Sequence, residues 1–247
     1  MQLLADLPTI PYARLALTLA PVVLVVALLH RWSLSPGGAL WATVRMVVQL
    51  SVLGVVLKII FRANHPAAVF AAVTVMVMIA AWIALRTAGE RTFTHYRRIL
   101  ASIALGGGAT LALVTQGVLV LEPWFKPSVL VPIAGMVFAN AMNTIALAGE
   151  RFSSETGLGS GYLAARQTAM RAAMIPATNA LLAVGLVSIP GMFTGQVLSG
   201  EDPMIAARYQ MMVMAMVYGS AGLSAGCYLA MMRPGAVEPV SGPHREL

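Results

Sequence analysis

Long apolar stretches separated by short polar segments run through almost the whole chain. Seven of them approach the roughly 20 residues that a tilted helix needs to cross a bilayer. We expect spanning helices over residues 13–30, 39–61, 67–85, 99–121, 128–148, 177–199 and 205–232. The pattern predicts an all-α, polytopic integral membrane protein of about seven transmembrane helices, with one membrane domain over residues 1–232. Residues 233–247, rich in Pro and Gly, are predicted to be a disordered tail.

Composition agrees with this class, and the basic residues predict an orientation. The 247 residues are 59% hydrophobic and 10% charged, which is more apolar surface than a soluble core can bury. The net charge of +7 would suit nucleic acid, but the arginines flank apolar stretches, so we expect lipid contact and no nucleic-acid partner. Ten basic residues lie on the side of the membrane where the odd-numbered spans end, and five lie on the other side. The N-terminus is therefore predicted outside and the C-terminus in the cytoplasm.

Polar side chains inside the apolar stretches are the first candidates for function. Asn140 and Asn143 lie three positions apart in the fifth stretch and share a helix face. Their amides cannot hydrogen-bond to lipid, so we expect them to face a protein interior or a water-filled path. The predicted transport path comprises Arg45, Gln49, Asn140, Asn143, Met192 and Gln196. The alternative for each polar member is an ordinary hydrogen bond between helices.

Methionine is unusually frequent, with 16 in the chain. Thioethers suit soft metal ions, and the candidate metal ligands are Met136, Met142 and Met192. Adaptable packing is the alternative, because methionine fills irregular gaps between helices. An oxygen-rich surrounding near Met192 and Gln196 would also suit a harder ion or an organic solute, so the residue types leave the ligand open.

Two spans carry sequence features that interrupt helices. The fourth contains Gly106-Gly107-Gly108, which indicates close packing or a kink. The sixth contains Ser188-Ile-Pro190-Gly191, a Pro-Gly pair that frees backbone carbonyls. Such breaks are tolerated at membrane depth where protein or a wet cavity covers them. A simple proline kink is the alternative.

Motifs for catalysis and for nucleotide binding are missing from the sequence. No Gly-x-x-x-x-Gly-Lys-Ser/Thr phosphate loop and no His-Glu-x-x-His is present, and the single cysteine, Cys227, lies in an apolar run. All nine carboxylates lie in loops, at span ends or in the tail, whereas ion-driven carriers commonly keep one at membrane depth. We therefore expect no enzyme activity and no cofactor bound by this chain.

The polar segment over residues 149–176 is predicted to be a cytoplasmic loop containing a short helix. Glu155, a glycine-rich run ending at Gly161 and a mixed apolar and basic helix broadly follow the loop by which importer permeases dock on an ATPase. The predicted ATPase-coupling residues are Glu155, Gly161, Arg166, Gln167 and Arg171. An amphipathic helix lying at the lipid interface is the alternative.

Several motifs together resemble one known family. They are Val44-Arg45-Met-Val-Val-Gln49, Gly135-Met136-Val-Phe-Ala-Asn140-Ala-Met142-Asn143, Ser188-Ile-Pro190-Gly191-Met192-Phe-Thr-Gly195-Gln196, Gly200-Glu-Asp202-Pro203 and Tyr218-Gly-Ser220-Ala-Gly222. In these the chain resembles the FetB-type permeases, the membrane subunit of a two-component ABC transporter linked to iron export, and the related plant aluminium-tolerance proteins. The resemblance covers about residues 10 to 232.

The resemblance implies a homodimeric permease of the bacterial cytoplasmic membrane that pairs with a separate cytoplasmic ABC ATPase subunit. ATP would be used by that partner, and iron would be a possible substrate. The glycine-rich run before Tyr162 is shorter than the charged helix that family members often carry there. Substrate and direction stay open, and a stand-alone carrier or channel for a metal ion or small organic solute is the alternative. A purely structural membrane protein is a further one.

Overall fold

The computed structural model describes residues 11–63, 65–88 and 91–233, and it is helical throughout most of these ranges. Apart from Arg233, the predicted tail lies outside the described residues. In chain order the α-helices of these ranges are α1 (Tyr12–Leu17), α2 (Ala20–Arg31), α3 (Gly37–Ala63), α4 (Pro66–Leu85), α5 (Phe93–Ser102), α6 (Gly108–Ala112), α7 (Pro127–Gly157), α8 (Tyr162–Ala183), α9 (Gly191–Leu198) and α10 (Pro203–Met231).

Helices long and apolar enough to cross a membrane account for most of the chain. In the described ranges there are six: Tyr12–Arg31, Gly37–Arg62, Pro66–Leu85, Phe93–Val118, Pro127–Gly157 and Pro203–Met231. Each is at least 20 residues long, close to the thickness of a hydrocarbon core. The predicted all-α, polytopic membrane fold is confirmed.

The structure differs from the single helix expected over residues 177–199. There α8 ends at Ala183, a turn follows, and α9 begins only at Gly191. The turn contains Gly185, whose φ of +81° is a left-handed conformation that glycine adopts without a steric penalty. The Gly185 nitrogen donates to the Ser188 carbonyl at 3.0 Å, which closes the turn. The Pro190-Gly191 break is thus real, and it separates two helices rather than kinking one.

The segment over residues 149–176 is also more helical than the predicted loop. Helix α7 continues past the apolar stretch to Gly157, and α8 begins at Tyr162, so only four residues connect them. Glu155 stabilises this connection, because its carboxylate pairs with Arg151 and accepts a hydrogen bond from the Ser160 hydroxyl at 3.1 Å. Hydropathy had marked where the apolar surface ends, whereas the helix itself extends two turns further.

The chain forms two compact units in terms of internal contacts. The first comprises residues 1–63 and 198–200, and therefore contains α1, α2 and α3. The second comprises residues 64–197 and 201–247, and contains α4 to α8, α10 and nearly all of α9.

Small residues allow the helices of the second unit to pack closely. Fully buried alanines repeat every seventh position along α7 and every fourth along α8, at Ala134, Ala141 and Ala148 and at Ala165, Ala169 and Ala173. A Cβ atom added to Gly149 would lie 2.5 Å from the Ala88 Cβ, so only glycine fits there. Such seams supply van der Waals contact where lipid removes the hydrophobic driving force between helices.

The glycine run of the fourth span coincides with a change in helix type. Residues Ile103–Gly107 and Leu113–Val118 form π-helical turns on either side of α6. A Cβ at Gly106 would lie 2.7 Å from the Ser224 Cα of α10, so the two backbones touch. The predicted close packing at this run is confirmed, and π-turns of this kind often occur near functional sites.

Buried polar contacts hold the ends of α5, α8 and α10 together. The Tyr228 hydroxyl lies 3.0 Å from His95 Nε2 and donates to the Ala88 carbonyl at 3.1 Å. At the next residue of α10, the Leu229 carbonyl accepts a hydrogen bond from the Tyr162 hydroxyl at 2.9 Å. These bonds tie the start of α8 to the end of α10, and they thereby position the face of α8 that carries Arg166.

Candidate functional site

A cavity of about 620 Å³ opens beside the starts of α7 and α10, inside the second unit. Its walls are the segment 119–126, the first three turns of α7, the inner face of α9 and the beginning of α10. We call it the methionine cavity, defined by Leu119, Val120, Leu121, Glu122, Lys126, Ser128, Val129, Pro132, Ile133, Met136, Met192, Gln196, Tyr209 and Met212. Three members of the predicted site therefore meet here, namely Met136, Met192 and Gln196.

The thioethers of this cavity come from three different helices. Met136 lies on α7, Met192 on α9 and Met212 on α10, and all three are half-buried. Met212 was missed by the sequence analysis, since the neighbouring methionines of α10 hide which one turns inward. Tyr209 was missed as well. Its position one turn before Met212 was the available signal, because residues three apart share a helix face.

Gln196 carries a polar atom without a partner inside the protein. Its Oε1 is buried and makes no hydrogen bond to any residue of the described chain. A buried acceptor left unpaired costs about 1–3 kcal/mol, so such a group is usually kept for a reason. Gln196 lines the methionine cavity, and a rotation of its side chain would present this buried oxygen to a ligand there.

Glu122 and Lys126 carry the charges of the cavity. Both are exposed, and both belong to the connection before α7. Charges at this position remain solvated while the thioethers and the amide lie deeper between the helices. In the described ranges no three His, Cys, Asp or Glu side chains come together as a metal-binding group.

The two asparagines continue the face of α7 that starts at Met136. Asn140 is half-buried, and its amide donates to the Met136 carbonyl at 2.8 Å within the same helix. Asn143 is exposed on the surface of the chain, so its amide does not face the interior of this chain, and a water-filled path stays the prediction for it. Met142 is half-buried and packs against the core, outside the lining of the methionine cavity.

Arg45 and Gln49 belong to the first unit, on α3. With the Gln49 amide oxygen turned toward the guanidinium, it accepts hydrogen bonds from Arg45 Nε at 3.1 Å and from Nη2 at 3.2 Å. Arg45 is half-buried and Gln49 is exposed. In this orientation the two side chains pair one helical turn apart, which stabilises the charge of an arginine inside a spanning helix.

The basic residues of the predicted coupling segment lie along one groove. Arg166, Gln167 and Arg171 are exposed on α8, and with Met170 they line a groove of about 670 Å³ against the end of α10. The α10 side of this groove consists of Gly226, Leu229 and Ala230. The Arg166 guanidinium stacks over the Tyr162 ring at 5.5 Å, which orients it. We call this surface the α8 groove.

The remaining two coupling residues shape the approach to α8. Glu155 is turned inward to Arg151 and Ser160, so its carboxylate stabilises the connection between α7 and α8. Gly161 immediately precedes α8 in an extended conformation, with a φ of −65° that any residue can adopt. A Cβ there would meet nothing within 4 Å, so the fold does not require glycine.

A second, larger cavity lies on the opposite faces of α9 and α10. Its volume is about 860 Å³, and its lining is almost entirely apolar: Leu181, Val184, Gly185, Ser188, Ile189, Pro190, Phe193, Ala207, Gln210, Met211, Met214, Ala215, Tyr218 and Gly219. We call it the apolar cavity. Gln210 is only 6% exposed, and its Oε1 also lacks a partner in the described chain. The sequence analysis predicted neither this cavity nor Gln210.

Comparison with known proteins identifies the family. A family model described as the uncharacterised protein family UPF0014 matches residues 12–165 and 160–234. The chain belongs to the UPF0014 family. It is 34% identical over 234 residues to the probable iron export permease protein FetB of Escherichia coli, covering 87% of this chain and 88% of that protein.

Other members of UPF0014 come from distant organisms. The chain is 32% identical over 231 residues to the UPF0014 membrane protein YjkA of Bacillus subtilis, covering 85% of this chain and 90% of that protein. It is 31% identical over 227 residues to the protein ALUMINUM SENSITIVE 3 of Arabidopsis thaliana, covering 85% and 81%. No solved structure matches the chain. The predicted resemblance is confirmed, and the chain is a multi-pass membrane protein of this family.

Proposed function

We propose that the chain is the membrane-spanning permease subunit of an ABC transporter that exports iron or another metal ion. The observation that carries this proposal is the methionine cavity, a space between three helices that is lined by Met136, Met192 and Gln196, whose amide oxygen has no hydrogen bond. The similarity to the probable iron export permease FetB supports iron as the first cargo to test. Bacterial relatives support a cytoplasmic membrane location.

ATP would be hydrolysed by a separate cytoplasmic subunit that docks on the α8 groove. Two exposed arginines and Gln167 surround an apolar floor at the end of α10, which suits a helix or loop with acidic and apolar side chains. A homodimer of this chain would offer two such grooves to a pair of ATPases. Closure of the ATPase pair would draw the two copies of α8 together and drive alternating access.

Copurification tests the docking surface. The chain is coexpressed with a candidate ABC ATPase of the same organism, and the Arg166→Ala/Arg171→Ala variant is compared with wild type. We expect the double variant to lose the ATPase, since both exposed charges of the groove are removed. Arg208→Ala is the matched control, because this exposed arginine lies at the start of α10, on the predicted outer side. Equal recovery of the ATPase with all three proteins would refute the docking surface.

A stand-alone carrier or channel is the second candidate, and one observation favours it. The connection between α8 and α9 is non-helical over residues 184–190, and such broken helices form ion sites in secondary transporters. Metal uptake by liposomes that contain the purified chain and no ATPase would support this candidate. Dependence of flux on both the ATPase and ATP would support the ABC permease instead.

A further inference from the structure

The donor atoms of the methionine cavity define a chemical class of ligand. Three methionines, a tyrosine and a glutamine whose amide oxygen is buried and unpaired line the space, and an exposed glutamate, an exposed lysine and an exposed serine lie on its rim. Thioether sulfur is soft and neutral, and it binds soft ions such as Cu(I) far better than hard ones. The lining is therefore chemically different from the oxygen and imidazole sets that hold Mg²⁺, Mn²⁺ or Zn²⁺.

Charge leads to the same class of ion. Among the described residues of the lining, Glu122 is the one acid and Lys126 is the one base, and both are exposed. The deeper donors are neutral, so an ion bound by them has no negative charge nearby to balance its own. The cost of leaving water rises steeply with ionic charge, so a neutral set of donors favours a monovalent ion over a divalent one.

The position of the methionines argues for a site rather than for packing alone. Met136, Met192 and Met212 belong to three helices, yet all three reach the same cavity and none is fully buried. Met216, by comparison, is 2% exposed and fills the core between helices. Packing explains Met216. Met136, Met192 and Met212 also pack against the core, but each stays partly exposed, and together they bring three thioethers from different helices to one cavity.

We propose that the methionine cavity binds a soft monovalent metal ion, Cu(I) or its analogue Ag(I), through the thioethers of Met136, Met192 and Met212 and the Gln196 amide oxygen. This rests on the proposed metal-transport function, and it specifies the class of cargo. Glu122 and Lys126 leave the rim without net charge, and the thioethers replace the water of the ion as it moves inward. Iron would bind this set of donors less tightly than Ag(I).

Silver binding to the purified full-length chain in nanodiscs tests the proposal. Ag(I) is the probe because it needs no reductant. The test variant is Met136→Leu/Met192→Leu/Met212→Leu, since leucine conserves methionine's volume and removes only the sulfur. The matched control is Met204→Leu/Met211→Leu/Met214→Leu, which removes three sulfurs of α10 outside this cavity. We expect the affinity for Ag(I) to fall at least about tenfold in the test variant. The control is expected to bind as wild type does.

Two results would overturn the proposal. One is equal Ag(I) affinity of the test variant, the control and the wild type. The other is tighter binding of Fe(II) or Mn(II) than of Ag(I) by the wild-type chain. If the triple variant does not fold, the single variants Met136→Leu and Met212→Leu are measured, and each is expected to weaken binding on its own.

The same assay separates this proposal from the proposed function. It uses no ATPase, so it reports on the metal site alone. Tight Ag(I) binding that depends on the three thioethers, together with no ATPase coupling, would keep the site and refute the ABC permease. Coupled ATP hydrolysis in a chain whose Ag(I) binding ignores these methionines would keep the permease and refute the site.

Discussion

The two cavities beside α9 and α10 have opposite chemistry although they share the same helices. Met192 and Gln196 of α9 line the methionine cavity, while Phe193 lines the apolar one. On α10 the neighbours Met211 and Met212 likewise line different cavities. Both cavities contain methionines and one glutamine with a buried, unpaired oxygen. The number of methionines therefore does not mark a metal site. The two cavities differ in where their thioethers come from: three helices contribute them to the methionine cavity, and α10 alone contributes them to the apolar cavity.

The close contact between Gly106 and Ser224 holds α10, the helix that lines both cavities. Breaking this contact is expected to have the largest effect on the free energy of unfolding. Gly106→Ala places a Cβ 2.7 Å from the Ser224 Cα, so the free energy of unfolding should fall by about 1–3 kcal/mol. Thermal unfolding in detergent measures this.

Gly108→Ala is the control for that change. A Cβ at Gly108 would meet nothing within 4 Å, and alanine is the better helix former by about 1 kcal/mol. We expect this variant to be as stable as wild type or slightly more so. Equal losses in both variants would show that general helix effects, not the contact with α10, dominate.

The two glutamines offer the sharpest test of the difference in function. Gln196→Leu and Gln210→Leu each remove one unpaired buried acceptor, so both variants should be as stable as wild type or more stable by about 1 kcal/mol. Metal flux into proteoliposomes should fall about tenfold or more for Gln196→Leu only. A loss of flux in Gln210→Leu alone would move the transport site to the apolar cavity.

Filling each cavity in turn compares their roles in another way. Ser128→Phe adds a ring at the exposed edge of the methionine cavity, and Ala215→Phe adds one to the apolar cavity. Flux should fall severalfold in the first variant, because access to the thioethers is obstructed, and stay unchanged in the second. The rate of metal-dependent fluorescence change in liposomes measures both. Obstruction by Ala215→Phe alone would contradict the account.

The asparagines of α7 are expected to give the smallest effects. Asn140→Ala removes a bond of 2.8 Å to the Met136 carbonyl and should lower the free energy of unfolding by about 1 kcal/mol. Asn143→Ala removes an exposed amide and should change it by less than about 0.5 kcal/mol. Unfolding in denaturant compares the two. A flux defect in Asn143→Ala at unchanged stability would extend the path along α7 beyond Met136.

The spans of the fold could be predicted from hydropathy, and their ends could not. The apolar stretch of α7 stops near Ala148, but the helix continues through mostly exposed positions, with Phe152 buried, to Gly157. Hydropathy marks the edge of the bilayer, whereas hydrogen bonding decides where a helix ends. The stretch over 177–199 shows the converse, since it is mostly apolar although Gly185 and Pro190 divide it.

The candidate site was partly predictable for a similar reason. A polar residue in an apolar stretch is visible in the sequence, and Gln196 was found in this way. Met212 and Gln210 depend on which face of α10 turns toward α7 and which toward the turn after α8. Because α10 carries methionines on several faces, its periodicity does not reveal that direction. Only packing against α7 and α9 separates Met212 from Met211.

The measurement that tests the central claim most directly is metal-stimulated ATP hydrolysis by the chain reconstituted with its ABC ATPase. Wild type, Met136→Leu/Met192→Leu/Met212→Leu and Met204→Leu/Met211→Leu/Met214→Leu are compared with Cu(I) and with Fe(II). We expect metal to stimulate ATP hydrolysis in the wild type and in Met204→Leu/Met211→Leu/Met214→Leu. We expect this stimulation to be lost in Met136→Leu/Met192→Leu/Met212→Leu. Equal stimulation of all three would contradict transport through the methionine cavity.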